Sequence, residues 1–207
     1  DDGIGKIVSK LKEENIYNNT IIFFLSDNGA PKKRWTEKER ANYPFSGYKG
    51  SDLGEGGVRT PFFMQWPNKI KVQSIYHNPV SSFDIFATVK SIINPELQLP
   101  NQIHGKNILP YVLGENSGIP HESLFWKING NFKIENNDTI RGKPRFAIRS
   151  SNYKMIVDQD GNNFLYDLDK DIPEKNNIAS ELPEVANELR KKIDDWNQKT
   201  IHPVFLG

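Results

Sequence analysis

The chain has 207 residues, enough for one domain or for a domain with a small appendage. Its 36% apolar and 26% charged residues are typical of a folded protein and exclude a disordered one. The formal net charge of +1 provides no bulk attraction to nucleic acid or to an anionic membrane, and no apolar run approaches the ~20 residues of a membrane span. Cysteine is absent, which excludes disulfides, a cysteine-based zinc site and a thiol nucleophile within these residues.

The first half of the sequence predicts an α/β arrangement. Residues 1–15 have apolar side chains at helical spacing, and a chain that begins inside a helix is typical of a piece of a longer protein. After a turn comes 21–25, a continuous β-branched and aromatic run typical of a strand buried on both faces, as in a parallel sheet flanked by helices. Residues 61–67 predict a short strand that ends at a proline, and residues 83–93 predict a helix.

The second half predicts a small antiparallel sheet with one packed helix. A linker from residue 94 to about 118 precedes short apolar runs separated by turns, among them Asp160-Gly161, which favours a hairpin. The final helix spans roughly 183–199 and has an apolar face. We therefore expect an α/β part over 1–118 and a small α+β subdomain over 119–207. The predicted strands are 123–128, 145–150, 153–157 and 164–168, and the helix face consists of Val185, Leu189, Ile193 and Trp196.

A possible metal site follows the first predicted strand. Asp27 and Asn28 offer a carboxylate and a carboxamide side by side, and such hard oxygen ligands suit Ca²⁺ or Mg²⁺ rather than zinc. Gly29 would allow the backbone to turn sharply after them. α/β folds place ligands beyond the carboxyl ends of their strands. Taken alone, Asp-Asn-Gly is also an ordinary turn sequence.

A glycine-rich loop carries the second candidate. Lys49 lies between glycines and could direct its ammonium at a tetrahedral oxyanion. Taken alone, the same local sequence is also compatible with a solvated surface lysine. Glu55 and Arg59 flank two further glycines ahead of the next strand, and this pattern indicates an internal ion pair. We assign Glu55 and Arg59 a structural role, which is to hold the preceding loop and therefore Lys49 in place.

In this order, these stretches resemble the sulfatase family. Asn-Thr-Ile-Ile-Phe-Phe-Leu-Ser-Asp-Asn-Gly resembles the segment in which a sulfatase strand delivers an Asp-Asn metal pair. Tyr-Lys-Gly-Ser followed by Glu-Gly-Gly-Val-Arg-Thr-Pro resembles the family's lysine loop and its continuation, except that five residues rather than four separate Lys49 from Glu55. The resemblance extends over nearly the whole chain, through the Asp-x-x-x-Thr helix start at Asp84 and Thr88 and the C-terminal stretches 153–156, 165–168 and 171–179.

The resemblance implies an alkaline-phosphatase-like α/β fold with a C-terminal antiparallel sheet, and hydrolysis of sulfate esters. By this likeness Asp27 and Asn28 are calcium ligands, with Mg²⁺ the second choice, and Lys49 is a catalytic cation that binds the sulfate. The family's nucleophile is a formylglycine made from Cys or Ser before Pro-x-Arg. No such stretch occurs here, so we expect the nucleophile in a missing N-terminal half of the same protein. Only the resemblance favours a periplasmic or secreted location.

Two further groups of residues are expected to lie on the surface or in loops rather than to have a functional role. His77, His104, His121 and His202 lie in turn-like contexts, where surface or linker positions are expected. The basic cluster Lys32-Lys33-Arg34 beside Trp35 could face an anionic substrate such as a sulfated glycan, but charge runs usually mark solvated loops.

Two other functions remain open. One is a phosphodiesterase or phosphonate hydrolase of the same superfamily, which differs in upstream residues. The other is a non-catalytic module that binds anionic glycans, against which the retention of Asp27, Asn28 and Lys49 counts.

Overall fold

The computed structural model of the chain describes residues 1–32, 41–50, 53–97, 103–130, 132–135 and 138–200. It divides into two compact units, one formed by Asp1–Ser26 with Pro61–Glu122 and the other by Asp27–Thr60 with Ser123–Gly207. The predicted boundary near residue 118 stays a prediction. What the sequence did not indicate is that residues 27–60, which contain both candidate sites, belong to the same unit as the C-terminal sheet.

The helices and strands alternate in the first half of the chain, and strands dominate the second. The helices are α1 (Asp2–Glu13), α2 (Glu55–Val58), α3 (Asp84–Ile93), α4 (Leu109–Val112) and α5 (Pro183–Lys199), with a 3₁₀ turn at Tyr17–Asn19. The strands are β1 (Ile22–Leu25), β2 (Phe62–Gln65), β3 (Ser123–Ile128), β4 (Phe132–Glu135), β5 (Asp138–Arg141), β6 (Arg145–Ser150), β7 (Tyr153–Val157) and β8 (Asn163–Asp167). No helix among the described residues combines the length and apolar character needed to cross a membrane.

In the first unit, β1 and β2 form an antiparallel pair with Ile22 opposite Gln65. The parallel pairing that the apolar run at 21–25 suggested is wrong for this pair. A run of apolar residues reports burial of a strand, whereas the direction of pairing depends on how the chain returns. Burial is also incomplete within the described part, where Phe24 and Phe63 are 49% and 61% exposed and α1 has no buried residue.

The second unit is built on a four-stranded antiparallel sheet in the order β3-β6-β7-β8. The predicted bounds of β3, β6, β7 and α5 are confirmed, and β8 begins and ends one residue earlier than predicted. The hairpin at Asp160-Gly161 is confirmed too, because Gly161 has a φ of 88° and the Asp158 carboxylate accepts hydrogen bonds from two turn amides. The sequence interpretation missed the β4–β5 hairpin, which comes between β3 and β6 in the sequence.

Helix α5 packs on one face of this sheet and forms the core of the second unit. Its predicted apolar face is confirmed: Leu189 and Ile193 are buried, and Trp196 stacks on Phe125 of β3 with ring centres 5.1 Å apart. The buried side chains of this core are Ile148, Met155, Val157, Leu165, Ala186, Leu189 and Ile193. Because strand side chains alternate between faces, the opposite face of β6 and β7 presents a different set, which includes Arg149 and Lys154.

Replacing Ile193 with Ala should lower the free energy of unfolding by about 2–5 kcal/mol, because the side chain is 1% exposed and its removal leaves a cavity. Urea denaturation measures this loss. Lys191→Ala on the same helix is the control, since Lys191 is exposed and its loss should change the free energy by no more than ~0.5 kcal/mol. Equal losses for the two variants would contradict the packing described for α5.

Candidate functional site

Asp27 and Asn28 follow directly after β1. The Ser26 amide still donates to the Pro61 carbonyl at 3.2 Å, so the strand pairing continues up to the candidate metal pair. Asp27 is exposed and Asn28 half-buried, whereas Gly29 is buried. The carboxylate is therefore available to a ligand while the backbone behind it is enclosed.

Gly29 packs directly against the turn that contains Glu55. Its amide donates to the Gly57 carbonyl at 3.1 Å, and a Cβ atom on Gly29 would lie 1.7 Å from the Gly56 carbonyl oxygen. No side chain fits at that distance. The glycine after the candidate metal pair is thus required by a close backbone approach, in addition to the turn that its sequence context suggests.

Asn42 joins the segment after the metal pair to the loop that carries Lys49. Its carboxamide oxygen accepts from the Ala30 amide at 2.9 Å, and its amide nitrogen donates to the carbonyls of Ala30 and Gly47 at 3.1 Å each. The Lys49 amide also donates to the Ala30 carbonyl at 3.1 Å. The two predicted sites are therefore neighbours in the backbone. Sequence reasoning missed Asn42, since nothing in its local pattern distinguishes it from other loop asparagines.

Lys49 stands at the tip of a turn. Gly47 and Gly50 have φ values of 84° and 83°, a backbone conformation that favours glycine, and they flank the exposed Lys49 side chain. Lys32 lies nearby, with its ammonium 5.1 Å from the centre of the Tyr48 ring. The rest of the basic cluster, Lys33 and Arg34, lies outside the described residues together with Trp35.

The turn after the lysine loop is held by a buried carboxylate. Glu55 is 1% exposed, and its ion pair with Arg59, at 3.8 Å, confirms the predicted internal pair. Its closer partners come from the C-terminal sheet, where Lys154 contacts one carboxylate oxygen at 2.8 Å and Arg149 contacts the other at 3.0 Å. The sequence placed the ion pair within the turn, whereas the structure places its main part between the turn and β6 and β7.

A second buried carboxylate completes this group of charges. One oxygen of Glu174 accepts from the Glu55 amide at 2.7 Å and from the Ser46 hydroxyl, and the other lies 3.3 Å from the Lys154 ammonium. We call Glu55, Arg149, Lys154 and Glu174 the buried charge cluster. Burial raises the pKa of Glu174, and this effect is opposed by the Lys154 ammonium and by the hydrogen bonds from Ser46 and Glu55.

His121 corrects the expectation for the histidines. His77 and His104 are exposed, as expected, and His202 lies outside the described residues. His121 is instead nearly buried, with its Nε2 atom 2.8 and 2.9 Å from the two oxygens of the buried Asp84 carboxylate. Asp84 also accepts backbone hydrogen bonds from Ser81 and Lys106, so its bond to His121 fastens the loop before β3 to the start of α3. A turn-like sequence context gave no sign of this partner.

The described residues fit a partial calcium site. Ca²⁺ takes six to eight oxygen ligands, and Asp27 and Asn28 supply hard oxygens next to an enclosed backbone. Within the described ranges no group of three or more His, Cys, Asp or Glu residues is arranged to hold a metal ion. The donor chemistry of Asp27 and Asn28 therefore suits calcium, and their role as ligands stays a prediction.

Comparison with known proteins places the chain in a family. The family model named Sulfatase matches residues 1–94, and the model described as N-sulphoglucosamine sulphohydrolase, C-terminal, matches residues 52–199. The uncharacterized sulfatase YdeN of Escherichia coli is 26% identical over 229 residues, which cover 99% of the chain and 40% of that protein. N-acetylgalactosamine-6-O-sulfatase of Bacteroides thetaiotaomicron is 28% identical over 202 residues, which cover 92% and 39%.

A solved structure gives the same result. The crystal structure of Ps i-CgsB in complex with k-i-k-neocarrahexaose matches with a TM-score of 0.77 at 26% identity, over 94% of the chain and 40% of that protein. The chain belongs to the sulfatase family and corresponds to a C-terminal portion of it. The predicted fold class, a partial alkaline-phosphatase-like α/β sheet followed by an antiparallel sheet with a helix, is confirmed. The chain spans about 40% of the length of the relatives just named.

Gly29→Ala should destabilise the chain by about 3 kcal/mol, the upper end for an overpacked site, because the new methyl group overlaps the Gly56 carbonyl. Gly3→Ala is a matched control. It lies in α1 with nothing within 4 Å of the added Cβ, and it should stabilise by about 0.5–1 kcal/mol through helix propensity. Denaturant unfolding of both variants measures the difference, and a neutral Gly29→Ala would refute the close approach.

Glu174 should make stability fall as the pH rises. Since its folded pKa is raised, the folded chain binds the proton more tightly than the unfolded chain does. The contribution of this group to the free energy of unfolding is therefore fully present below the unfolded value of about 4.5 and is lost as the pH rises through the folded value. The stability of the wild type relative to Glu174→Gln should decrease over that window, as measured by urea unfolding at a series of pH values. The exposed Glu181→Gln should show no such trend, and a wild-type advantage over Glu174→Gln that grows with pH would contradict the raised pKa.

Proposed function

We propose that this chain is part of a sulfatase that hydrolyses sulfate esters of a carbohydrate or an aryl alcohol. Its contribution is a pair of calcium ligands, Asp27 and Asn28, and a sulfate-binding cation, Lys49. The observation that carries this proposal is the direct hydrogen bonding between the Lys49 loop and the segment after Asp27-Asn28, through Ala30 and Asn42. Two groups that act on one sulfate must be neighbours, and these hydrogen bonds support such an arrangement.

The proposed division of labour follows from the charge of a sulfate ester. When the S–O bond breaks, negative charge must be stabilised on the sulfate oxygens and on the leaving oxygen, and preorganised cations do this most effectively. Bound calcium would supply a fixed double positive charge for those oxygens. Lys49, on a turn held by Ala30 and Asn42, would add a second cation whose position costs little reorganisation. The formylglycine nucleophile belongs, in this proposal, to residues upstream of the chain.

The substrate class is proposed from the relatives. N-acetylgalactosamine-6-O-sulfatase is named for a sulfated sugar, and the Ps i-CgsB structure holds a neocarrahexaose. Both cover more than nine tenths of this chain. A sulfated carbohydrate is therefore the first substrate class to test, with an aryl sulfate as a convenient reporter.

Lys49→Met in the full-length protein should lower kcat/KM for an aryl sulfate by roughly 10²–10³, as expected for loss of one transition-state charge contact. Lys71→Met, which removes an exposed lysine elsewhere, should leave kcat/KM unchanged.

Asp27→Ala should abolish the rise in thermal stability that added calcium produces, while Lys71→Met should retain that rise.

Parallel assays separate the open alternatives. A wild-type protein that hydrolyses a phosphonate monoester or a phosphodiester faster than an aryl sulfate would favour the phosphorus-ester function. Binding of a sulfated oligosaccharide without turnover of any ester would favour the glycan-binding module. Full activity of Lys49→Met would contradict the role proposed for that lysine.

A further inference from the structure

The C-terminal sheet presents two cations where a purely structural face would be apolar. Arg149 of β6 and Lys154 of β7 lie directly opposite each other in the antiparallel ladder. Like charges in that position repel each other. The Glu55 carboxylate resolves the repulsion, because each of its oxygens contacts one of the two cations. Arg149 and Lys154 therefore form a binding site for the Glu55 side chain, which belongs to the turn that follows the lysine loop.

Lys154 is completely buried within the buried charge cluster. Within the part of the chain that the structure describes, its ammonium lies 2.8 Å from one oxygen of Glu55, 3.3 Å from one oxygen of Glu174 and 5.7 Å from the centre of the Trp126 ring. A buried ion cluster is seldom more stable than apolar side chains of equal volume. The advantage of such a cluster is structural specificity, because it favours only the arrangement in which each charge contacts an opposite charge.

Glu174 also has an uncommon backbone conformation. It has a φ of 54°, a left-handed conformation that is uncommon for residues other than glycine, asparagine and aspartate. Its carboxylate nevertheless binds the Glu55 amide and the Ser46 hydroxyl, two groups that bracket the lysine loop in sequence. The Gly56 amide donates to the Ser46 carbonyl, so both ends of the loop are fastened to each other and to Glu174.

We propose that Lys154 is the residue that positions Lys49 for sulfate binding, acting through Glu55 and Glu174. This inference rests on the proposed function of Lys49. The C-terminal sheet would then be a working part of the active site although it provides no group that touches the sulfate. Loss of the Lys154 charge would leave the buried Glu55 and Glu174 carboxylates without the cation that contacts both of them. The turn that contains Glu55 would then move away from Glu174, and the lysine loop would move with it through the hydrogen bond from Gly56 to Ser46.

The test is a double-mutant cycle in the full-length protein. Lys154→Met should lower kcat/KM for a sulfate ester by roughly 100-fold, as expected for a displaced catalytic group. In a Lys49→Met background the same change should add less than about twofold, because the cation it positions is already gone. Lys127→Met is the control. It removes a lysine of the same sheet that donates to Asn197 of α5 at 2.7 Å, and its effect should be small and the same in both backgrounds.

Amide hydrogen exchange provides a readout that does not need activity. The Lys49 and Gly56 amides, which donate to Ala30 and Ser46, should exchange faster in Lys154→Met and at the wild-type rate in Lys127→Met. If Lys154→Met does not fold, Glu174→Gln replaces it, since it keeps the shape and removes one charge. It should give a smaller fall in kcat/KM that also disappears in the Lys49→Met background.

The outcomes separate this inference from the function on which it rests. A wild-type protein without sulfatase activity would overturn the proposed function, and faster exchange at Lys49 and Gly56 would still support the positioning contact. An active wild type in which Lys154→Met and Lys49→Met act independently would overturn the inference alone. Unchanged exchange at both amides in the folded variant would overturn it as well.

Discussion

The contact of one glutamate with two cations connects the C-terminal sheet to the part of the chain that carries the proposed site. Glu55 lies in a four-residue helix between the lysine loop and β2, and its carboxylate joins Arg149 and Lys154, which belong to strands about a hundred residues further along the chain. Removing one partner from such a buried group typically costs 3–5 kcal/mol, because a charge is left uncompensated. The position of the turn therefore depends on the C-terminal sheet, and the backbone around Asp27, Asn28 and Lys49 depends on that turn.

The backbone contacts of the site follow from this anchor. Gly29 can lie against the Gly56 carbonyl because it has no side chain, so the segment after the candidate metal pair contacts the anchored turn. Asn42 then joins Ala30 to Gly47, so the lysine loop and the segment after the candidate metal pair share hydrogen bonds. The result is a series of contacts that runs from the C-terminal sheet, through the buried Glu55 carboxylate, to the backbone of the loop that carries Lys49. In the proposed site, the exposed groups are the ones that a substrate or a metal ion would meet, and the buried charge cluster is the part that would hold them in position.

Much of the local structure was predictable, because local structure depends on local patterns. The bounds of β3, β6, β7 and α5 match the apolar periodicity of the sequence, and the Asp160-Gly161 hairpin follows from a glycine in a left-handed conformation. The misses share a different cause. The antiparallel pairing of β1 with β2, the burial of His121 on Asp84 and the bridging role of Asn42 all depend on partners that are distant in sequence. No local pattern specifies such partners.

The class of this protein and its candidate chemical groups could be read from the sequence alone, since the order of Asp27-Asn28, Lys49 and Glu55 resembles the sulfatase family and the comparisons confirm that membership. The sequence also indicated that Glu55 forms an ion pair within its own turn. The folded chain was needed to show that the principal partners of Glu55 are Arg149, Lys154 and Glu174, and that residues 27–60 belong with the C-terminal sheet. The physical reason is that side-chain spacing records which residues are buried, whereas the pairing of buried charges is decided by which surfaces the folded chain brings together.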